Sequence, residues 1–338
     1  MRKRWLVILV SILCVAVAIL FLVLVDKPFI YESEVVSTVH AVERAEPNLT
    51  LVIYTDIHHD PAKNEPHVIG KTMDCVVEVG KRVTIDALWN LGDLINGHTT
   101  TKAEAVEQIN EVLAEENRVT ANAHRIEGNH DNNIQATYEG NAGFGMEEVL
   151  TNAEMSSVLA NTTTSQTEHH SGLRPTDYYV EFPDQGIRVI CITAEETTWT
   201  EETAVWLREE ALKTEDSVLF LAHIPTRPEW GFKNDVVGGE LIEDELRAFV
   251  ESGGTIIAYI HGHDHGDMIS DAGEWKEVAI GCARFQVPTS NGTEGMTFQE
   301  RNKRDVTKIL FDVVCINTEK REVRFIRFGA GTDRVITY

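Results

Sequence analysis

The chain has 338 residues, with 54 Asp and Glu against 30 Lys and Arg and a formal net charge of −24. So acidic a surface repels nucleic acid and anionic lipid headgroups, and the densest basic stretch, RNKRD at 301–305, reads as a solvated turn. Nucleic acid is not expected as a partner, and the length suits one sizeable globular domain.

In chain order, a basic tip MRKR (1–4) precedes WLVILVSILCVAVAILFLVLV (5–25), which contains no charge, Pro or Gly. At ~1.5 Å per residue this run covers roughly 30 Å, enough to cross a bilayer. The basic tip favours an inside N-terminus, so residues 1–4 are expected in the cytoplasm, 5–25 as a single-pass signal anchor in the cell membrane, and the remainder outside. The alternative is a cleaved signal and a secreted product. The run is longer than a signal h-region and lacks a small-residue cleavage site. Residues 26–47 show no clear periodicity and read as a juxtamembrane stalk, leaving 48–338 as the domain.

From 48 onward strand and helix signals alternate. LTLVIYTD (49–56) is an apolar strand, 67–83 a helix, and DALWNLGD (86–93) a strand. Residues 101–117 form an amphipathic helix with Ala105, Ile109, Val112 and Leu113 on one face, and 121–131 begins as a strand. The stretch 132–175 is rich in Asn, Thr, Gly and Ser and reads as a loop-rich insertion with a short helix at 152–160. A hairpin turning at 183–186 follows, then a helix at 200–212, a strand at 216–223, a helix closed by glycines and the strand TIIAYI. A hairpin turning near 317–320 ends the chain, and its last stretch, RFGAGTDRVITY, has no evident chemical role. The repeated order argues for an α/β domain. Cys75, Cys191, Cys282 and Cys315 form no CxxC, and three lie in apolar runs, so buried free thiols are expected although export would permit disulfides.

The polar residues at strand ends form a set: Asp56-Ile57-His58, Gly92-Asp93, Gly128-Asn129-His130-Asp131, His223 and Gly262-His263-Asp264-His265. Open α/β sheets bind ligands beyond the carboxyl ends of their strands. Two of these blocks are i, i+2 pairs, which share a side if the chain is extended. Oxygen and imidazole donors without thiolates suit Mn, Fe or Zn.

The order D-x-H, G-D, G-N-H-D, H, G-H-x-H resembles the calcineurin-like metallophosphoesterases. The resemblance implies an α/β fold of two packed mixed β-sheets flanked by helices and a pair of divalent metals. It places Asp56, His58 and His265 on one metal, Asn129, His223 and His263 on the other, and Asp93 on both. It places His130 against the substrate phosphate as the catalytic imidazole, with metal-bound hydroxide as the nucleophile. Relatives often orient this histidine with an Asp three residues after the bridging Asp; here Asn96 stands there, and an amide stabilises a charged imidazole less. No Tyr takes that place either, so a purple iron–tyrosinate centre is not expected.

Other polar residues read as structural. His59 is expected to face solvent, His261 to lie in the strand, Asp264 to point away, and Asp131 to bond the local backbone. His98 and His124 are expected to be structural, and His169 and His170 to lie in a solvated loop. The loop IPTRPEWGFKND (224–235) follows His223, so Arg227 and Trp230 are candidate substrate-binding residues. The expected function is hydrolysis of a small phosphomonoester or phosphodiester by a membrane-anchored, extracytoplasmic phosphoesterase. The alternative is a non-catalytic, metal-stabilised surface binding or adaptor module.

Overall fold

The computed structural model describes residues 29–61, 68–138, 145–160, 166–228, 236–285 and 295–338. The chain divides into two compact units, Met1–Ser33 and Glu34–Tyr338. Of the first, residues 29–33 are described, and the expected span at 5–25 lies outside the described residues. No helix among the described residues is long and apolar enough to cross a membrane.

Helix α1 is Glu32–Ala45. It falls in the stretch 26–47 that reads from the sequence as an aperiodic stalk. Val35, Thr38, Val39, Val42 and Ala45 are buried, at intervals of three and four, so a helical face exists. The intervening Glu, Ser and His residues dilute it in the sequence.

The next elements are β1 (Leu49–Tyr54), α2 (Val68–Gly80), β2 (Ala87–Asn90), α3 (Lys102–Val119) and β3 (Ala123–Arg125). In the expected insertion lie α4 (Gln135–Tyr138), α5 (Asn152–Leu159) and β4 (His169–His170). A capping box between Thr151 and Glu154 starts α5. Then come β5 (Tyr178–Phe182), β6 (Ile187–Ile192), α6 (Glu201–Trp206), β7 (Ser217–Ala222), α7 (Gly239–Glu251) and β8 (Ile256–His261). The last are β9 (Met268–Asp271), β10 (Lys276–Ala279), β11 (Leu310–Asn317), β12 (Glu322–Gly329) and β13 (Arg334–Thr337).

The strands form two mixed sheets. One has the order β13-β12-β11-β1-β2-β3, the other β4-β5-β6-β7-β8-β10-β9. Strands β1, β2 and β3 run parallel, with Leu51 opposite Ala87 and Leu88 opposite Ala123. Strands β6, β7, β8 and β10 are also parallel. The remaining strands add antiparallel edges, as where Val52 faces Val313.

Strand alternation sends one face of each sheet inward. Leu51, Ile53 and Trp89 of the first sheet share a buried cluster with Val189, Leu221 and Ile260 of the second. Each such side chain contributes roughly 1.5–3 kcal/mol when fully buried. The outer face of the second sheet carries Phe220 and Tyr259, packed with Trp206, Leu246 and Phe249 of α6 and α7. On the outer face of the first, the Tyr54 hydroxyl and the Asn90 amide both donate to Glu116 of α3. The architecture is thus two packed mixed sheets flanked by helices. All five expected motif blocks leave the carboxyl ends of parallel strands β1, β2, β3, β7 and β8. The cysteines Cys75, Cys191, Cys282 and Cys315 are buried and unpaired with one another, as their apolar settings implied.

Candidate metal centre

The loops after β1, β2 and β8 do not stay extended. Asp56, His58, Asp93, His263 and His265 all have positive φ, between 45° and 68°. The i, i+2 pairs therefore share a site through left-handed turns rather than through strand alternation. Left-handed non-glycine residues cost about 1–3 kcal/mol each and persist where surroundings over-determine them. Here the main chains are tied together: Asp56 N donates to Gly92 O at 2.9 Å and His58 N to Asp93 O at 2.9 Å. His263 N donates to Asp56 Oδ2 at 3.1 Å. Two glycines permit the approach. A Cβ on Gly128 would lie 2.2 Å from Asp93 N, and one on Gly262 would lie 2.1 Å from Thr55 Oγ1.

Asp131 holds two of these loops at once. It is fully buried, and Oδ1 accepts from Leu94 N at 2.7 Å and Ile95 N at 3.2 Å. Its Oδ2 accepts from Gly128 N at 2.7 Å and Asp93 N at 3.0 Å. The backbone role expected for Asp131 thus extends beyond its own turn.

The side chains converge in two groups. Ligand atoms of Asp56, His58, Asp93 and His265 all lie within 4.8 Å of one another. His58 Nε2 is 3.1 Å from His265 Nε2 and 3.5 Å from Asp93 Oδ2, and His265 Nε2 is 3.2 Å from Asp56 Oδ1. In the second group Asn129 Oδ1 lies 3.1 Å from His223 Nε2 and 2.9 Å from His263 Nδ1. Asp93 Oδ2 joins the groups, 3.3 Å from His223 Nε2. His223 Nδ1 is 2.9 Å from the Leu91 carbonyl, which places the proton there and turns the Nε2 lone pair inward.

The electrostatics of this cluster suit a cation. Burial alone would raise both carboxyls. The histidines facing them, His265 and His223 for Asp56 and His223 and His130 for Asp93, outweigh it and hold both below the ordinary carboxylate range. Yet Asp56 Oδ1 and Asp93 Oδ2 are buried without a hydrogen-bond partner. An ionised carboxylate so placed costs several kcal/mol unless a cation meets it. Burial keeps His58 well below its ordinary value, so its lone pair is available. For His223 burial opposes the charge, but the Asp93 carboxylate pushes it up to about 9. The anionic field that draws a proton to His223 draws a metal ion equally, and the two compete. The donor set of oxygens and imidazoles fits Mn, Fe or Zn.

His130 stands beside the cluster, its ring 4.8 Å from that of His58 and its Nε2 3.8 Å from Asp93 Oδ2. Its Nδ1 donates to the main-chain carbonyl of Asn96 at 2.7 Å. The expectation that the Asn96 side chain orients His130 is corrected: that amide bonds Asp60 Oδ2 at 3.0 Å and Arg284 Nη1 at 3.1 Å instead. A carbonyl is present whatever the side chain at 96.

Arg227, the candidate for substrate binding, follows β7 and is partly buried. Its guanidinium forms a two-pronged ion pair with Glu243. Beside it Thr226 bonds the buried Glu277 through N and Oγ1, each at 2.8 Å. Trp230 lies outside the described residues.

His59 is buried, not solvated, and pairs with Glu111 at 2.6 Å. His261 ends β8, bonded through Nδ1 to the Gly262 carbonyl, and burial depresses it to about 3. Asp264 is buried, its Oδ2 4.0 Å from His261 Nδ1. His98 lies closer than expected, 6.1 Å ring to ring from His130. His124 stacks on Trp89 and bonds Glu168 at 2.6 Å, a structural role. His169 and His170 are exposed but pair as β4. The C-terminal stretch without evident role supplies Arg327 and Arg334, which bond Asp267 and Asp312 in a buried network two residues past His265. Arg301, read as part of a solvated turn, is partly buried and donates to the carbonyls of Cys282 and Arg284 at 2.7 and 2.9 Å.

Comparison with known proteins places these residues in context. The sequence matches the family described as calcineurin-like phosphoesterase over residues 49–267. No curated protein matches. Among solved structures, a dimetal phosphatase from Danio rerio superposes with a TM-score of 0.56 at 14% identity, covering 87% of this chain and 100% of that one. A phosphopantetheinyl hydrolase from Mycobacterium tuberculosis gives 0.39 at 10% identity, covering 69% and 89%. At such identity the first likeness speaks to fold alone, and the second carries no argument.

Proposed function

This chain belongs to the calcineurin-like phosphoesterase family, and from that premise we propose that it hydrolyses a small phosphomonoester or phosphodiester in a pocket that holds two divalent metal ions. The observation that supports this most is the pair of buried, unpartnered oxygens Asp56 Oδ1 and Asp93 Oδ2, ringed by imidazole nitrogens from separate loops. In this reading Asp56, His58 and His265 hold one ion and Asn129, His223 and His263 the other. Asp93 would serve both and so offset their mutual repulsion, and Asn129 would add an oxygen without adding charge.

Bound there, two cations would supply Lewis acidity toward the phosphoryl oxygens and toward a water near neutral pH. His130 supplies the complementary step. With Nδ1 fixed on the Asn96 carbonyl, its Nε2 is the atom that gives a proton to the leaving oxygen or bonds a charged phosphoryl oxygen. The strongly acidic surface discourages long polyanions, which favours a small ester. Residues 5–25 anchor the chain in the cell membrane, with the metal centre outside.

The test is turnover of 4-nitrophenyl phosphate and bis-4-nitrophenyl phosphate by the full chain in detergent with Mn²⁺, alongside Asp93→Asn. Loss of about 10²-fold or more is expected, since Asp93 serves both ions. Equal turnover in the variant would overturn the mechanism. Retained metal with no turnover of any phosphoester would favour the binding module instead.

A further inference from the structure

Beyond the motif residues, one more charged side chain is fastened to the loops that carry the candidate ligands. The segment after β10 runs back to β1: Ala283 N donates to Thr55 O at 2.9 Å and Arg284 N to Asp56 O at 3.1 Å. The Cys282 thiol donates to the same Asp56 carbonyl at 3.1 Å. Arg301 fixes this segment from the other side. Its guanidinium donates to the carbonyls of Cys282, Ala283 and Arg284, and also to those of Thr307 and Lys308. Burial lowers Arg301 to about 10, so it stays charged at neutral pH while serving as a backbone staple.

From this fixed main chain the half-buried Arg284 side chain reaches Asn96, with Nη1 donating to Oδ1 at 3.1 Å. The Asn96 amide nitrogen donates to Asp60, which sets the amide's orientation. The Asn96 carbonyl carries His130. The guanidinium of Arg284 and the imidazole of His130 are therefore fastened to one residue, and the backbone of Arg284 is fastened to Asp56. A neutral amide positions the guanidinium without cancelling its charge, whereas Arg227 is neutralised by Glu243.

We propose that Arg284 is a substrate-recognition residue that bonds a non-bridging phosphoryl oxygen and makes the pocket selective for dianionic phosphomonoesters over monoanionic diesters. The inference rests on the proposed hydrolysis and names its substrate class. Two divalent ions less the carboxylates Asp56 and Asp93 leave about +2, and Arg284 adds a further positive charge that Asp60, across the Asn96 amide, offsets in part. A monoester dianion with an anionic nucleophile brings about −3, and a diester about −2. A monoester has three non-bridging oxygens and a diester two, so the monoester offers the guanidinium one more acceptor.

The experiment compares wild type, Arg284→Ala and Arg284→Lys as full chains in detergent, loaded with Mn²⁺. It measures metal content, calorimetric binding of inorganic phosphate, and kcat and KM for 4-nitrophenyl phosphate and bis-4-nitrophenyl phosphate. Arg284→Ala is expected to retain both ions and to bind phosphate about 10- to 100-fold more weakly, the scale of one charged hydrogen bond. Monoester KM rises by the same factor, diester kcat/KM changes less than about threefold, and Arg284→Lys recovers part of the loss. Unchanged phosphate affinity, equal losses on both esters, or loss of metal from Arg284→Ala would each overturn the assignment. If wild type binds metal and phosphate but cleaves neither ester, the hydrolytic reading fails, and the phosphate arm still decides the role of Arg284.

Discussion

Asp131→Asn isolates the contribution of one buried carboxylate to the geometry of the metal centre. Four N–H groups point at its two oxygens: those of Leu94 and Ile95 at Oδ1, and those of Asp93 and Gly128 at Oδ2. An amide keeps one oxygen and sets its own N–H groups against the remaining two donors. Hydrogen bonds to a charged partner contribute about 1.5–3 kcal/mol each, so losing two costs about 3–6 kcal/mol. That is a large share of the total stability of a typical domain, about 5–15 kcal/mol. Burial and the charge of Asp93 push the Asp131 carboxyl up, while the four N–H groups aimed at its oxygens favour its ionised form. Cations bound at Asp93 oppose that upward push, so the variant should suffer most in metal affinity. The assay is guanidinium unfolding without metal, paired with calorimetric titration of Mn²⁺. A lower midpoint at unchanged slope is expected, together with weaker binding. An Asp131→Asn protein with the wild-type midpoint and wild-type Mn²⁺ affinity would refute the claim that this carboxylate holds the ligand loops.

Three further outcomes are expected. Burial, with a smaller contribution from Glu243, raises Glu277 from 4.5 to about 8, so its stabilising effect is full below pH 4.5 and lost as pH rises through about 8. Glu277→Gln, always uncharged, should flatten that decline, by up to about 5 kcal/mol at about 1.4 kcal/mol per unit. Parallel pH–stability curves for the two proteins would contradict the burial argument. Asn96→Ala should leave the Nδ1-protonated signature of His130 unchanged in ¹⁵N spectra while weakening phosphate binding through Arg284; a switch of tautomer would show that the amide side chain matters after all. Removing residues 5–25 should release the chain from membranes, and intact mass of the native product should include the N-terminal run; a mature chain beginning after it would favour the cleaved signal.

The elements legible in the sequence were those whose burial leaves a local pattern. Strands β1, β7 and β8 are near-continuous apolar runs because both of their faces are covered, and α3 shows a clean apolar stripe. Strands β9 and β13 escaped because they are short and largely open on one face, and α1 because its buried valines are interleaved with charge. The seven candidate ligands were readable because each sits in a short motif at a strand end. Arg284 was not, since it belongs to no motif and its partner Asn96 is 188 positions away. The support of His130 was misassigned for a different reason. It comes from a main-chain carbonyl, which every residue possesses and no letter of the sequence distinguishes.

Crystals of the protein grown with Mn²⁺ and measured at the manganese absorption edge address the pair of ions directly. Two anomalous peaks about 3.5–4 Å apart, one on each side of the Asp93 carboxylate, are the expected result. One should touch Asp56, His58 and His265, the other Asn129, His223 and His263. A single peak at saturating Mn²⁺, or peaks remote from Asp93, would contradict a dinuclear centre.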